Sequence, residues 1–185
     1  VYKRQELDNR PYLNRVTKVS AGGEVDFFQL NPLPPQQPNR KEAVATPFAV
    51  KASRDGDVLF LTSAGSDVLL ALSVKTGEVV AKAKVGSVPR GVALEEDASG
   101  KPVRAWVMNA VSNSVSKVAI AGNSALQVEQ TIELHDPTPP VYKEGRMAFN
   151  TARASSNGTF SCASCHADGH TDHLLSVSYT HLRAH

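Results

Sequence analysis

The chain has 185 residues, of which 20 are Lys or Arg and 18 are Asp or Glu, so its formal net charge is only +2. This near balance of charge does not favour a nucleic-acid-binding protein. No apolar run approaches the roughly 18 residues of a membrane-spanning helix, so we expect no membrane span in this chain.

The two ends of the chain have the sequence of a translated adapter. Residues 1–5 (VYKRQ) are what the end of a widely used sequencing-library adapter encodes, and residues 177–185 (VSYTHLRAH) are encoded by its reverse complement. We therefore expect the natural sequence to run from residue 6 to about residue 176, as an internal fragment of a longer protein. Without Lys3, Arg4 and Arg183, the basic residues fall from 20 to 17 against 18 acidic ones.

The first part of the chain is weakly patterned. One strand is predicted over residues 24–30 (EVDFFQL). The following residues 31–38 (NPLPPQQP) contain four prolines, which lack an amide donor and fix φ, so they cannot continue a sheet or a helix. We interpret this stretch as an exposed loop.

From residue 47 onward, short apolar segments alternate with turn signals. The Asp-Gly pair at Asp55 and Gly56 and the Thr-Gly pair at Thr76 and Gly77 are typical of tight turns. Strands are predicted over residues 48–52, 58–62, 68–74 and 79–85. Four short strands joined by such turns predict one antiparallel meander.

A second copy of this meander follows. Pro89 lies 42 positions after Pro47, and Arg104 lies 46 positions after Val58. Strands are predicted over residues 89–94, 104–109, 115–120 and 126–134. A four-stranded unit that repeats at about 40–45 residues is typical of β-propeller blades. We therefore predict a mainly β fold, with a partial β-propeller of four-stranded antiparallel blades over residues 6–135 and about two complete blades over residues 47–134.

The second strands of both copies carry a family pattern. Residues 59–67 (LFLTSAGSD) and 105–113 (AWVMNAVSN) resemble the YVTN-type β-propeller repeat, in which these four letters begin the second strand of a blade. The resemblance covers residues 47–134 and implies the propeller fold. The Ser, Asn and Asp side chains of this pattern are interpreted as turn formers, so we expect no functional site in the blades.

A boundary follows the second copy. Residues 136–141 (DPTPPV) contain three prolines and predict a linker. Residues 143–154 are compatible with a helix whose short apolar stripe includes Met147 and Ala148, and residues 155–158 (SSNG) end it with a turn. Residues 142–176 are interpreted as the beginning of a second, α-helical domain.

The only two cysteines, Cys162 and Cys165, are followed at once by His166. This C-x-x-C-H pattern is the attachment signature of c-type haem, in which two thiols bond to the two vinyl groups and the histidine supplies an axial imidazole. We expect this motif on a short helix. A thioredoxin-like redox pair, a zinc site with His170 and His173 as further ligands, and a structural disulfide remain alternatives.

The surrounding residues strengthen the haem interpretation by resemblance. Residues 145–150 (GRMAFN) and 159–169 (TFSCASCHADG) resemble the start of the cytochrome c domain in the di-haem cytochrome c peroxidase superfamily, with Ala148 where leucine is usual. The resemblance implies covalent haem c on Cys162 and Cys165, with His166 as the proximal iron ligand. It also implies a periplasmic or otherwise exported bacterial protein, because haem c is attached outside the cytoplasm.

Three functions remain open at this point. The first is electron transfer by haem c with a redox partner protein, the propeller serving as scaffold or partner-binding module. The second is a di-haem peroxidase-like oxidoreductase, for which a second C-x-x-C-H motif would lie downstream. The third is a non-catalytic binding propeller whose motif holds zinc or is structural. The sixth iron ligand would decide between the first two, since a methionine suits electron transfer and an open position suits peroxide chemistry.

Other residues near the motif are expected to play supporting roles. His170 is a poor candidate for the second axial ligand, because it would lie on the same side of the porphyrin as His166 if the helix continued. His173 is interpreted as a solvated loop histidine, and Met147 as a packing residue rather than a ligand. Possible haem-edge contacts and propionate partners are Phe149, Phe160, Arg146 and Arg153.

Overall fold

The computed structural model describes residues 13–122 and 125–170, and the predicted adapter segments and His173 lie outside these ranges. The described residues form ten strands, two α-helices and two short 3₁₀ turns. The strands are β1 (Arg15–Val19), β2 (Val25–Gln29), β3 (Pro47–Ala52), β4 (Val58–Ser63), β5 (Val68–Ser73), β6 (Val79–Lys84), β7 (Pro89–Glu96), β8 (Pro102–Asn109), β9 (Ser114–Ala121) and β10 (Ala125–Glu133). The helices are α1 (Pro140–Asn150) and α2 (Cys162–Cys165), and the 3₁₀ turns are Ala152–Ala154 and Ala167–Gly169.

The strands form two four-stranded antiparallel sheets and one two-stranded sheet. The sheet orders are β3-β4-β5-β6 and β7-β8-β9-β10, so each strand pairs with its neighbour in sequence, as the meander prediction required. Gly56 and Gly77 occupy the turns with φ of 81° and 73°, a backbone conformation that glycine adopts without strain. The mainly β fold with four-stranded antiparallel units is thus confirmed.

The two larger sheets pack face to face through alternating apolar residues. Phe60 and Leu69 of the first sheet and Val107 and Val118 of the second are fully buried in one shared cluster. Because the side chains of a strand alternate between its two faces, the residues next to Phe60 in β4 point to the opposite face of the first sheet. Burial of a side chain of this size contributes about 1.5–3 kcal/mol, so this cluster is a main source of stability.

The opposite face of the first sheet is covered by β1 and β2. Phe28 and Leu30 pack there against Leu61, Leu70 and Leu72 in a second buried cluster. Strand β2 was predicted from the sequence, whereas β1 was not. Its residues RVTKV are almost all exposed, so they carry no apolar alternation that would reveal a strand.

The proline-rich stretch is a loop, as predicted, but its first residue is buried. Asn31 donates from Nδ2 to the carbonyl of Val44 at 2.8 Å, and its Oδ1 accepts from the amide of Val44 at 2.8 Å. A single side chain therefore satisfies both backbone groups of a fully buried residue. This pairing joins the start of the loop to the segment just before β3.

One backbone contact recurs in all three sheets. The residue before the third strand of each four-stranded sheet accepts, through its carbonyl, an amide at the end of the fourth strand. The pairs are Val85 with Asp67 at 2.9 Å, Leu134 with Asn113 at 2.9 Å and Leu30 with Asn14 at 3.1 Å. Strands β1 and β2 therefore correspond to the third and fourth strands of a preceding unit, so the repeat extends upstream of residue 47.

Helix α1 begins earlier than the sequence indicated. It starts at Pro140, so the last two residues of the predicted linker 136–141 belong to the helix. Proline is well suited to the first turn of a helix because its missing amide has no partner there in any case. Within the described residues, no helix is long and apolar enough to cross a membrane.

The segment that follows the sheets packs back onto their loops. Met147 of α1 contacts a buried cluster of Ala64, Val88 and Val111, and its Sδ accepts from Ser87 Oγ at 3.4 Å. The amide of Ala152 donates to the carbonyl of Gly65 at 2.8 Å. These contacts place α1 and the 3₁₀ turn after it at one end of the sheets, beside the loops that connect their strands.

Candidate functional site

The C-x-x-C-H motif lies on a one-turn helix held by two serines. The amide of Ser161, which precedes the helix, donates to Ser164 Oγ at 3.0 Å, and the amide of Ser164 donates to the carbonyl of Ser161 at 3.1 Å. This reciprocal arrangement stabilises the first turn of a helix too short to be stable alone. The prediction of a short helix at the motif is confirmed.

The two cysteines lie on the same side of α2, because residues three positions apart in a helix are neighbours on its surface. Cys162 is exposed and Cys165 is partly buried. Both belong to the described part of the chain, and no disulfide joins them there. Two thiols are thus presented on one helical face, with the more N-terminal one open to solvent.

His166 ends the helix and has a defined hydrogen bond on its ring. Its amide donates to the carbonyl of Cys162 at 2.9 Å, and its Nδ1 lies 3.1 Å from the backbone carbonyl oxygen of His170. A carbonyl oxygen can only accept, so Nδ1 is the donor in this contact, and in the neutral imidazole the unshared electron pair then lies on Nε2. Metal-ligating histidines commonly donate their second ring nitrogen to a backbone carbonyl in this way.

The helix does not continue through His170. Asp168 has φ of 52°, and residues Ala167–Gly169 form a separate 3₁₀ turn that folds the carbonyl of His170 back toward His166. His170 contacts the ring of His166 through its backbone carbonyl. Across the described residues, no group of three or more His, Cys, Asp or Glu side chains could hold a metal ion by side chains alone.

Two loops of the sheet region contact the segment that carries the motif. Thr46 Oγ1, just before β3, lies 3.5 Å from Ser164 Oγ in α2. Asn14 Nδ2 donates to the carbonyl of Thr159 at 2.9 Å, three residues before Cys162. Both contacts join residues more than 100 positions apart in the chain. The motif is therefore positioned by tertiary structure and not by its own helix alone.

A third connection is an ion pair, and it joins the residues after the motif to the second sheet. Arg90 Nη1 of β7 lies 3.7 Å from Asp168 Oδ1, directly after the motif, and the Arg90 guanidinium lies 5.0 Å from the ring centre of Phe48. Because 78% of the Asp168 side chain is exposed, water screens this pair strongly and its contribution to stability is small. The sequence did not single out Arg90 or Thr46, since neither belongs to a recognisable motif.

The segment between the helices is ordered by a buried turn. Asn157 Oδ1 accepts from Thr159 Oγ1 at 2.7 Å, and both side chains are buried. Gly158 between them has φ of 70°, and an added Cβ would lie 2.8 Å from the carbonyl oxygen of Arg40. Glycine is therefore required here both for its backbone conformation and for the close approach of the loop.

The remaining predicted residues occupy different surroundings. Met147 packs against the sheet loops, in agreement with its interpretation as a packing residue. Arg146 is exposed and its Nη2 lies 3.4 Å from Thr138 Oγ1. Phe149 and Phe160 are partly buried, and Arg153 is exposed beside the loop of Arg40. Their predicted contacts with a haem group stay predictions.

The residues of the motif fit a covalently bound haem. The fit depends on two features of this chain: two thiols on one face of α2, and a histidine whose Nδ1 proton is held by a backbone carbonyl so that Nε2 is available. A c-type haem requires both features, because its two vinyl groups bond to the thiols and its iron takes an imidazole nitrogen.

Comparisons with known proteins give structural neighbours only. No protein-family model matches the chain, and no curated protein matches it. The periplasmic gluconolactonase PpgL of Pseudomonas aeruginosa is 21% identical over 68% of this chain, with a TM-score of 0.47. The β-propeller domain of Cps50 (Swd1) from Myceliophteria thermophila is 15% identical over 68%, also with a TM-score of 0.47. The chain covers 36% of the gluconolactonase and 39% of the Cps50 domain.

Proposed function

We propose that this chain carries haem c bound covalently through Cys162 and Cys165, with His166 as the proximal iron ligand, and that it transfers electrons. The observation that supports this most directly is the hydrogen bond between His166 Nδ1 and the carbonyl of His170. It leaves Nε2 as the ring nitrogen that can bind a metal, next to two thiols at the spacing of haem c attachment.

When bound, haem supplies one-electron chemistry, and the chain supplies its position and surroundings. The thiols of Cys162 and Cys165 hold the group at two points of one helical turn. The carbonyl of His170 keeps the proton on Nδ1 and so keeps the imidazole in one orientation. The contacts of Asn14 and Thr46 fix that turn against the sheets.

The two larger sheets provide the scaffold in this proposal, and their exposed surface provides the area on which a redox partner protein would dock. The cellular location that goes with the proposal is the periplasm or another exported compartment, because covalent haem attachment takes place there in bacteria. Electron transfer is the function that we propose for the bound haem, because haem supplies one-electron chemistry.

The test is expression of the chain together with haem c maturation machinery. After denaturation and extraction with acidified acetone, the wild-type protein should retain haem absorbance, because thioether bonds survive both treatments. The double variant Cys162→Ser/Cys165→Ser should lose all of it. Wild-type protein without retained haem absorbance would refute the proposal and return the motif to the zinc or structural alternatives.

A matched pair of histidine variants tests the proximal ligand. His166→Ala should change the absorption spectrum of the attached haem, because the imidazole is lost. His170→Ala should leave the spectrum unchanged, because the variant keeps the backbone carbonyl that accepts from His166. Equal spectral changes in both variants would contradict the assigned roles.

A further inference from the structure

A cleft lies where the sheet loops meet the segment that leads to the cysteine motif. Its volume is about 460 Å³, which is within the range of small-molecule sites. The described residues that line it are Arg40, Lys41, Ala43, Gly65, Ser66, Ala152, Arg153 and Gly158. Three of these eight residues are basic and none is acidic. The residues that line this junction cleft therefore carry a net positive charge.

The three cations are not neutralised by nearby carboxylates. None of Arg40, Lys41 and Arg153 forms an ion pair within residues 13–122 and 125–170. Like charges that converge on one cavity repel one another, and an anion bound between them removes that repulsion. The arrangement thus favours a negatively charged occupant.

The guanidinium of Arg40 is held in place across the cleft. Its Nη2 donates to the backbone carbonyl of Arg153, which joins the loop before β3 to the 3₁₀ turn after α1. This bond uses part of the donor set of Arg40 and leaves its other N–H groups for a ligand. An arginine fixed in this manner loses less side-chain entropy when it binds a carboxylate or a phosphate.

The walls of the cleft are made of small residues whose polar groups are already satisfied. Ser66 Oγ accepts from the amide of Ala45 and donates to the carbonyl of Ala43, each at 3.0 Å. Ala152 and Gly158 add no polar side chain. Recognition is therefore left to the basic side chains, and the small walls leave room for the body of the ligand.

We infer that the junction cleft binds a small organic anion that carries carboxylate or phosphate groups. Arg40 and Arg153 can each form paired hydrogen bonds to such a group, and Lys41 adds a point charge. The inference does not depend on haem attachment, because none of the cleft residues belongs to the C-x-x-C-H motif.

The test is a calorimetric titration of the full chain, produced without haem maturation machinery, with citrate as the probe. Each titration is run at an ionic strength fixed with chloride, and the series is repeated at a higher chloride concentration. We expect saturable binding that weakens as salt is raised, because salt screens the partly exposed cations. The variants Lys41→Gln and Arg153→Gln should each weaken citrate binding by about tenfold, the change that the loss of one charge-assisted hydrogen bond produces.

The control is Lys75→Gln, which removes the same charge from an exposed turn outside the cleft. It should bind citrate as the wild-type chain does. Thermal unfolding of all variants shows whether each one is folded. Absence of saturable citrate binding in the millimolar range would overturn the inference. So would equal weakening by Lys75→Gln and Arg153→Gln, because the binding would then reflect net charge and not the cleft.

Discussion

Asp67 Oδ1 accepts the amide proton of Val88 at 2.9 Å, and so joins the turn before β5 to the entrance of the next sheet. The same connection exists one repeat earlier, where Asn14 Oδ1 accepts from the amide of Thr46 at 3.0 Å. One repeat later, Asn113 Nδ2 donates to the carbonyl of His135 at 2.7 Å. The side chains of Asn14 and Asp67 therefore connect one sheet to the start of the next, and Asn113 connects its sheet to the segment that follows β10.

The first prediction concerns Asp67, whose φ is 58°. Asp67→Ala should lower the free energy of unfolding by about 2 kcal/mol, because the amide of the buried Val88 loses its partner and alanine tolerates this backbone conformation less well. Asp67→Asn is the matched control and should change it by less than about 0.5 kcal/mol, because asparagine keeps the acceptor and suits positive φ. Urea unfolding followed by circular dichroism measures both. Equal losses in the two variants would contradict the role of the acceptor.

The second prediction compares two phenylalanines of the first sheet. Phe60 is fully buried between the sheets, whereas 54% of Phe48 is exposed. Phe60→Ala should lower the free energy of unfolding by about 3–5 kcal/mol, since it removes buried surface and leaves a cavity. Phe48→Ala should cost no more than about 1 kcal/mol, the size of its contact with the Arg90 guanidinium. Similar denaturation midpoints for the two variants would show that the packing between the sheets is not a main source of stability.

The third prediction concerns acid stability at Asp136. The amide of Thr138 donates to Asp136 Oδ1 at 3.0 Å, and this bond, together with the Thr138 hydroxyl and Lys143 Nζ at 3.2 Å, lowers the pKa of Asp136 below its usual 3.8. A carboxyl group whose pKa is lowered by folding stabilises the fold above its unfolded pKa. That contribution is lost as the pH falls through the lowered folded pKa.

The variant Asp136→Asn isolates this effect. The difference in denaturation midpoint between wild type and variant should be constant above about pH 5 and should shrink as the pH falls below 3.8. Asparagine keeps an oxygen acceptor for Thr138, so the comparison reports on the charge. A difference that does not vary with pH would mean that the charge of Asp136 contributes nothing to stability.

The fourth prediction separates the two cysteines. Cys162→Ser and Cys165→Ser should each retain one thioether in a chain matured with haem, whereas the double variant retains none. Each single variant should still show haem absorbance after extraction, with a red shift because one vinyl group stays unreacted. Ser156→Ala is the control, since it removes an exposed side-chain hydroxyl outside the motif and leaves both thiols in place. Attachment would require both thiols together if extraction removed the haem absorbance of each single cysteine variant but not that of Ser156→Ala.

Most of the sheet architecture could be predicted from the sequence, because apolar alternation and Asp-Gly or Thr-Gly turns are local signals. The nine predicted strands, from β2 to β10, are present within a few residues of their expected bounds. Strand β1 was missed because its residues are mostly exposed and carry no alternation. Its place in the repeat is shown by hydrogen bonds of Asn14, which no composition pattern reveals.

The candidate site was only partly predictable. The spacing of Cys162, Cys165 and His166 identified the motif, whereas the partner of the His166 ring is a backbone carbonyl and has no sequence signature. The junction cleft combines Arg40 and Arg153, which are 113 positions apart, so only the folded chain brings them together. Sequence patterns do not predict contacts that backbone groups make or contacts between loops that are distant in the chain.

The contact of Asn14 with Thr159 has a consequence for the order in which the site can form. It closes a loop of 145 positions, so the turn before Cys162 acquires its final partner only when the early strands have folded. A change near Asn14 should therefore loosen the cysteine segment, although the two regions are far apart in sequence. Proteolysis of the chain should show this as faster cleavage near residue 159 when Asn14 is replaced. The pair of strands β1 and β2 would then be what holds the segment before α2 in place.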